Sequence, residues 1–528
     1  MKKKLKVKIK NSIPKKRYRI VRRILYSKMV LSFLFLIVQF VVFFAFVVNL
    51  SQYVIYIATS NFLLGIIFAI YLSNRQGKNE FKLAWLVPTL VLPIFGISLY
   101  VYTRIAMKNF GLQKKLSFAR SKTDPFLPAQ IEVQSTFCEV ADLVHFLCTA
   151  GGFPAYQGCD VKYFSCGEEF LEDFLAEIQS ATSFIFIEFF IIDLDETCLK
   201  IFKILKEKAA QGVEVRVVYD GIGSVMASTR AFQRYLRTVG IKSKIYMPLI
   251  PVFNLQQNNR DHRKIVVIDG QVAYTGGLNL SEQYFNIGQN RFSYWKDSAL
   301  KIKGEAAKTF SSLFLQIWHV AKSFAKTPVD TDCTKYFPPA QKSASTGGIV
   351  IPYGDDAYND MDIAENVYLY ILAKAQRYVY ITTPYIIIDN QLKEALTFAV
   401  ERGIEVSMIV PARHDHFVTF CMGRTFLKTL VECGVHVYLY LPGFIHAKNF
   451  VCDDKIATVG SVNLDYRSFF HHFEGGAVLS AYPEILRIKR DFEQTLLSCK
   501  RMQVCDYQKL PLYMRFVGRV FRVFAPLV

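Results

Sequence analysis

The chain has no CxxC pair, no H-x-x-x-H or H-E-x-x-H, and no cysteine–histidine cluster, so no metal centre is expected. Its eleven cysteines run from Cys138 to Cys505 without a framework, and read as small buried hydrophobes in a reducing compartment. Only three tryptophans occur, and few of the many phenylalanines and tyrosines alternate with lysine or arginine. That pattern disfavours a stacking surface for nucleic acid and suits core, interface belt and acyl-chain lining. Acidic residues are missing from the first 28 positions, where thirteen lysines and arginines lie between Lys2 and Lys28. Such a block fits an anionic lipid surface or RNA and says little about catalysis. Charged residues make up 20% of the chain against 52% hydrophobic ones, an apolar excess that has to be housed somewhere.

Much of it sits early. Met29 to Leu50 carries no charge and is about long enough to cross a bilayer, with no small-residue cleavage site after it. Second and third apolar runs span Val54 to Leu72 and Leu83 to Tyr102, the latter holding Pro88, Pro93 and Gly96. The reading is a basic leader (1–28) and a membrane region (29–103) of two or three transmembrane helices. Three crossings conflict with the distribution of positive charge. The leader, the loop with Arg75, Lys78 and Lys82, and the stretch with Arg104, Lys108, Lys114 and Lys115 all belong inside. Either one segment does not cross fully or the catalytic region faces out. A cytoplasmic face is the expectation adopted.

Beyond about residue 125 the composition is that of a globular α/β protein. Thr182 to Phe190 reads as a buried strand, Leu199 to Ala210 as a helix and Val213 to Tyr219 as a strand. The order returns in Tyr378 to Thr382, Asn390 to Glu401 and Ile404 to Val410. Gly212 and Gly403 occupy the same place, ending a helix and turning the chain into the next strand. Two similar α/β domains with largely parallel or mixed sheets follow, over 125–335 and 349–510, joined through Gln341 to Gly348, with an amphipathic tail at 511–528.

The repeat is clearest in HRKIVVIDGQVAYTGGLN, which holds His262, Lys264, Asp269, Gly276, Gly277 and Asn279, and in HAKNFVCDDKIATVGSVN, which holds His446, Lys448, Asp453, Gly460, Ser461 and Asn463. Every equivalent spacing is identical. Histidine and lysine two apart on an extended strand face the same way. A hairpin turn at Asp269-Gly270 or Asp453-Asp454 returns the chain so that the asparagine lies beside the histidine. Each half therefore offers an imidazole, a cation and an amide to one point. Lysine and asparagine hold nonbridging phosphoryl oxygens, and an imidazole attacks phosphorus or passes a proton. Two facing copies supply a nucleophile and an acid without a metal or any other cofactor.

With its two HxKxxxxD motifs the chain resembles the phospholipase D superfamily, and within it the bacterial cardiolipin synthases. That narrower resemblance extends from about residue 54 and includes AWLVPTLVLPIFGISLY, FIEFFIIDLD, VYDGIGS, TTPYIIID, NLDYRSF and the closing FAPLV. It implies a multi-pass protein of the bacterial cell membrane and a phosphatidyl transfer between two phosphatidylglycerols, giving cardiolipin and glycerol. In that scheme His262 forms a phosphatidyl-histidine, and His446 protonates the departing glycerol and then activates the second hydroxyl. Lys264, Lys448, Asn279 and Asn463 bind phosphoryl oxygens. Asp269 and Asp453, though part of the catalytic motifs, read as structural acids at the turns. Glu282 and Glu474 are candidates for orienting the histidines, or ordinary polar residues. Arg467 meets either a lipid phosphate or a nearby carboxylate such as Asp465.

Two features depart from the family pattern: the run Met29 to Leu50 with its basic leader, and His472, which stands where asparagine is expected. The His414-Asp415-His416 triplet resembles a ligand pair but reads as a loop at the pocket mouth. Alternatives are a phospholipase D-type hydrolase or a transphosphatidylase with another alcohol, then a nuclease, then a nonenzymatic lipid-binding protein.

Overall fold

The computed structural model describes residues 53–107, 110–128, 139–248, 258–324, 332–339, 348–358 and 361–527, with isolated positions between 37 and 44. The basic leader, nearly all of the run from Met29 to Leu50, and most of the linker Gln341 to Gly348 lie outside these residues. The described residues divide into two compact units, one ending at Met107 and the other, from Phe110 onward, holding both α/β halves.

In the N-terminal unit, α1 (Val54–Ser73) is one helix without a charged residue. The third apolar run is not one helix. It breaks at Leu92 into α2 (Asn79–Val91) and α3 (Pro93–Met107). Pro93 disfavours helical geometry at the residue before it, and Leu92 leaves the helix with φ −139° and ψ 81°. The two helices fold back as a hairpin. Trp85 meets Tyr100 edge-on at 5.5 Å, and a Cβ on Gly96 would lie 2.5 Å from the Thr89 Cα, so only glycine allows this approach. At 1.5 Å per residue each arm reaches only about 20 Å, well short of a bilayer core. Among the described residues no helix is long and apolar enough to cross a membrane.

The first half of the large unit carries β1 (Asp160–Phe164), β2 (Phe184–Phe189), β3 (Glu214–Asp220), β4 (Lys242–Tyr246), β5 (Ile265–Ile268), β6 (Val272–Gly276) and β7 (Ala299–Lys303). The second carries β8 (Ile349–Asp355), β9 (Tyr378–Thr382), β10 (Glu405–Pro411), β11 (His436–Tyr440), β12 (Asn449–Cys452), β13 (Ile456–Gly460), β14 (Glu474–Ser480) and β15 (Cys499–Arg501). The first sheet runs β1-β7-β6-β5-β2-β3-β4. The second runs β8-β14-β13-β12-β9-β10-β11, with β15 on one edge and Tyr156–Gln157 of the first half on the other. The seven-strand order is identical when seven is added to each label.

Within each set only the two pairings that follow the βαβ units are parallel; the other four are antiparallel. The sheets are therefore mixed, because the strands on either side of the histidine hairpins return directly instead of crossing over a helix. Gly212 (φ 94°) and Gly403 (φ 83°) take the left-handed conformation that ends the crossover helices Glu196–Ala210 and Asn390–Glu401.

Both faces of β2 are buried, which explains its apolar run from Phe184 to Ile187. Phe184 and Phe186 join a core shared with Val451, Val459 and Leu479 of the second half and the buried helix Ala307–Val320. Ile185 and Ile187 face the helices Gly167–Ser180 and Glu196–Ala210. The core thus joins the two halves, fixing their hairpins against each other. The ten described cysteines are all free. The tail is amphipathic as its sequence suggests: helix Leu512–Val523 packs Gly518 against the Cys421 carbonyl of helix Phe417–Glu432 and exposes Leu512, Tyr513 and Phe516.

Candidate active site

Each histidine stands just ahead of its hairpin, and backbone bonds from the opposite half hold it there. His262 N donates to Phe473 O at 2.9 Å, and His446 N donates to Lys296 O at 2.7 Å. The short strand Phe444–Ile445 pairs in parallel with Trp295–Lys296, and Asp261 bridges in parallel to Phe473. The next residue on each supporting strand is an acid that reaches the histidine ring. Glu474 lies 2.9 and 3.1 Å from His262 Nδ1, and Asp297 lies 2.7 Å from His446 Nδ1. The orienting acids are therefore crossed between halves.

Sheet register makes Asp297 and Glu474 equivalents. Gly276 pairs with Ala299 and Gly460 with Gly476, and in each case the acid stands two residues earlier. Glu282, a candidate alongside Glu474 for orienting a histidine or else an ordinary polar residue, does other work. Its carboxylate accepts from Thr197 N at 3.1 Å at the start of helix Glu196–Ala210, while its own N donates to the Asp195 carboxylate at 2.6 Å. It is drawn there because the first turn of a helix leaves amides unpaired. Asp297 is the residue that sequence reasoning missed; its signal was its position before the strand paired with the motif glycine.

Burial, aided by Lys448, pulls the His446 imidazole down to about 4; burial pulls His262 to about 3 in spite of the facing Glu474 carboxylate. Both rings are neutral near pH 7. Burial opposes ionisation of the acids too, yet His262 and its hydrogen bond, with help from Lys264, hold Glu474 well below the usual range, and His446 with Lys448 lowers Asp297. Each Nδ1–H then donates to a carboxylate, and the lone pair is left on Nε2. Lys448 Nζ is 2.8 Å from the same Nδ1, and because that nitrogen's hydrogen is committed to Asp297 the ammonium acts on it as a charge, not a donor.

Lys264 and Lys448 each donate to the carbonyl of their own histidine, His262 and His446. Burial pulls their ammonium groups down to about 7 and about 8. Asn279 Oδ1 accepts from Ile191 N at 3.0 Å, so its amide nitrogen is turned away from that bond, and Asn463 Oδ1 is buried without a hydrogen-bond partner. Both asparagines are buried within this layer.

The motif aspartates sit at the far end of the hairpins. Asp269 (φ 51°) and Asp453 (φ 54°) open two-residue turns with positive φ also at Gly270 and Asp454, the backbone a tight hairpin requires. Asp269 accepts from Thr182 N, Ser183 N and Phe184 N at 2.7 to 2.8 Å. Asp453 accepts from Gln376 N, Arg377 N and Tyr378 N at 2.6 to 2.9 Å. They tie each turn to the start of β2 or β9 and touch neither histidine.

Aromatic rings flank both imidazoles. His446 packs against Trp295 at 5.2 Å and Tyr284 at 5.7 Å; His262 packs against Phe190 at 5.1 Å and His472 at 5.6 Å. Since Phe473 matches Lys296, His472 is the counterpart of Trp295. Arg467 has an exposed side chain, and its carbonyl accepts from His472 N at 2.8 Å. His414 and Asp415 line a cleft with Tyr385, Phe420, Arg424 and Phe444. Phe444, which lines this cleft, lies 6.2 Å from His446.

A family model described as "Cardiolipin synthase, PLD-like domain" matches residues 174–318 and 368–496. A cardiolipin synthase of Geobacillus kaustophilus is 30% identical over 470 residues, 88% of this chain and 92% of that one. An uncharacterised protein of Streptococcus mutans serotype c is 36% identical over 87% of this chain and 99% of its own length. Among solved structures, phosphatidylserine synthase of Haemophilus influenzae Rd KW20 superposes with a TM-score of 0.56 at 15% identity. That match covers 74% of this chain and all of that one, a likeness of fold.

Proposed function

From a chain that belongs to the cardiolipin synthase, phospholipase D-like family, and so is a phosphatidyltransferase, we propose the reaction as transfer of phosphatidyl from one phosphatidylglycerol to another. The observation that carries this reading is the crossed pair of imidazoles, each tied at Nδ1 to a buried carboxylate of the other half.

His262 Nε2 attacks phosphorus, and the bond to glycerol breaks as His446 gives its proton to the departing oxygen. His446 Nε2 takes up that proton from solvent as the phosphodiester anion arrives, and the anion and Asp297 stabilise it on the ring until the transfer. Lys264, Lys448, Asn279 and Asn463 hold the nonbridging oxygens as charge moves onto them. His446, now neutral, takes the proton from the terminal hydroxyl of a second phosphatidylglycerol. That oxygen displaces His262, giving cardiolipin. One phosphodiester replaces another, so the exchange draws on no nucleotide. Burial of both lysines makes an anion in the site strongly favourable to their charged forms.

The protein acts at the bacterial cell membrane, with the catalytic halves on the cytoplasmic face. The charge-free α1, with exposed Ile55, Tyr56, Phe62, Ile67 and Ile70, supports attachment through the N-terminal unit. A hairpin such as α2–α3 begins and ends on one side, so Arg75, Lys78, Lys82 and Arg104 share a side without a crossing between them. That removes the conflict three spans create.

Detergent-solubilised wild type and His262→Ala, each given isotopically labelled phosphatidylglycerol, test the reaction by mass spectrometry. Labelled cardiolipin and free glycerol from the wild type alone is the expected result. Phosphatidic acid alone would assign water as the acceptor, and no lipid product from either protein would overturn the reading.

A further inference from the structure

Beside the nucleophile the two halves also differ in the ring that flanks the histidine. Where the second histidine has Trp295 for a neighbour, His262 has His472, a ring with two metal-ligating nitrogens. Both nitrogens of His472 are buried without a hydrogen-bond partner, its side chain is 9% exposed, and its Nδ1 lies 3.8 Å from Glu474 Oε1. Glu474 is fully buried and also faces His262 Nδ1 at 2.9 Å. One donor atom from each of His262, His472 and Glu474 lies within 4.8 Å of the others. The short sequence motifs for metals miss this set because two donors come from one half and the third from the other.

We propose that His262, His472 and Glu474 form a site for a borderline divalent cation of the zinc class, and that an ion bound there switches the nucleophile off. Two imidazoles and a carboxylate are a recurring three-ligand set for zinc, with the fourth position left to water or to a phosphoryl oxygen. Oxygen-preferring ions such as magnesium gain little from two nitrogen donors. Binding takes the Nδ1 position of His262, where Glu474 already converges. The ring's single proton moves from Nδ1 to Nε2, and the atom that attacks phosphorus loses its lone pair. No proton is gained or lost overall. Lys264, next to the cluster, opposes the added positive charge and keeps the affinity in the range of a reversible inhibitor. The equivalent place around His446 offers only Asp297, since Trp295 cannot ligate. The inhibitory consequence rests on the phosphatidyl-transfer reading; the binding does not.

Cobalt titration of the full-length protein in detergent tests the site directly. Four-coordinate cobalt gives intense visible d–d bands. The expected result is saturation at one ion per chain, displacement by zinc and indifference to magnesium. His472→Asn, shown to be folded by its melting curve, is expected to lose the bands. It is also expected to need roughly tenfold more zinc, or more, for half-inhibition relative to its own metal-free rate. Bands that persist in His472→Asn, or a wild type that shows none, overturn the proposal. Should the variant not fold, the zinc-over-magnesium selectivity of the wild type decides: equal response to both ions also overturns it. The cobalt spectrum needs no turnover, so a protein that binds cobalt and makes no cardiolipin fails only the reaction reading.

Discussion

The halves around His262 and His446 share strand order, hairpin turn and lysine, yet differ in how the imidazole is held. Asp297 is short and comes close because Gly277 has no side chain; a Cβ there would collide with its carboxylate. Glu474 is longer and stands over Ser461, whose hydroxyl donates to it and whose own oxygen accepts from Gly475 N at 3.1 Å. One half makes room for its acid and the other anchors it. The lesson is that a duplicated fold keeps the backbone that delivers two nitrogens to one point, while the side chains behind them diverge toward separate roles.

The sharpest way to break this comparison is to remove each ring. His262→Ala is expected to lose activity by a factor on the order of 10⁴ or more and to form no covalent phosphatidyl-protein. His446→Ala is expected to lose turnover similarly but to accumulate the adduct from a substrate with a good leaving group. Intact-protein mass spectrometry reads this, and the opposite pattern would exchange the two roles.

Next come the acids. Glu474→Gln and Asp297→Asn leave the rings in place but remove the acceptor that fixes the tautomer. Each is expected to lower kcat by about 10²- to 10⁴-fold with little change in KM. If either variant keeps wild-type kcat, the crossed pairing does not matter to catalysis.

Asp269→Ala removes a half-buried turn anchor instead of a reacting group. About 3 kcal/mol of stability should go, while the variant below its melting range turns over at close to the wild-type kcat. Denaturant titration against steady-state rates separates the two effects. A smaller loss is expected for Gly277→Ser, which copies the second half into the first. Crowding of Asp297 should cost about 1–3 kcal/mol and lower kcat, whereas Ser461→Gly should cost only about 1 kcal/mol.

The last effect, comparable in size to these, is on pH dependence. His262 has a folded pKa lowered to about 3 against 6.5 for its unpaired form. On acidification the unfolded chain takes up its proton first, so this histidine's contribution is fully present above pH 6.5 and falls as pH drops toward 3. The stability difference between wild type and His262→Asn should change against the wild type by about 2 kcal/mol between pH 7 and pH 5. Paired melts at the two pH values measure it, and a pH-independent difference would place a charged ring in the folded state.

Much of the architecture was legible from local pattern. Tyr378 to Thr382 and Asn390 to Glu401 form over the residues their sequences indicate, because an apolar run closed by a helix-ending glycine is a local signal. The turns at Asp269 and Asp453 were legible for the same reason. The hairpin in the third apolar run was not, since hydropathy counts residues and ignores that Pro93 forces a break which Gly96 and Thr89 then close by contact.

What the sequence determined by itself is the pair of motifs: histidine and lysine two apart, the turn aspartate and the returning asparagine, all placed by strand and hairpin geometry. What only the tertiary structure decided is who holds each histidine. Glu474 reaches His262 across 212 residues of chain and Asp297 reaches His446 across 149. Glu282, a neighbour in sequence, is taken up by a helix end. Contacts across a pseudo-twofold core depend on how two sheets stack, and no spacing within either half encodes that.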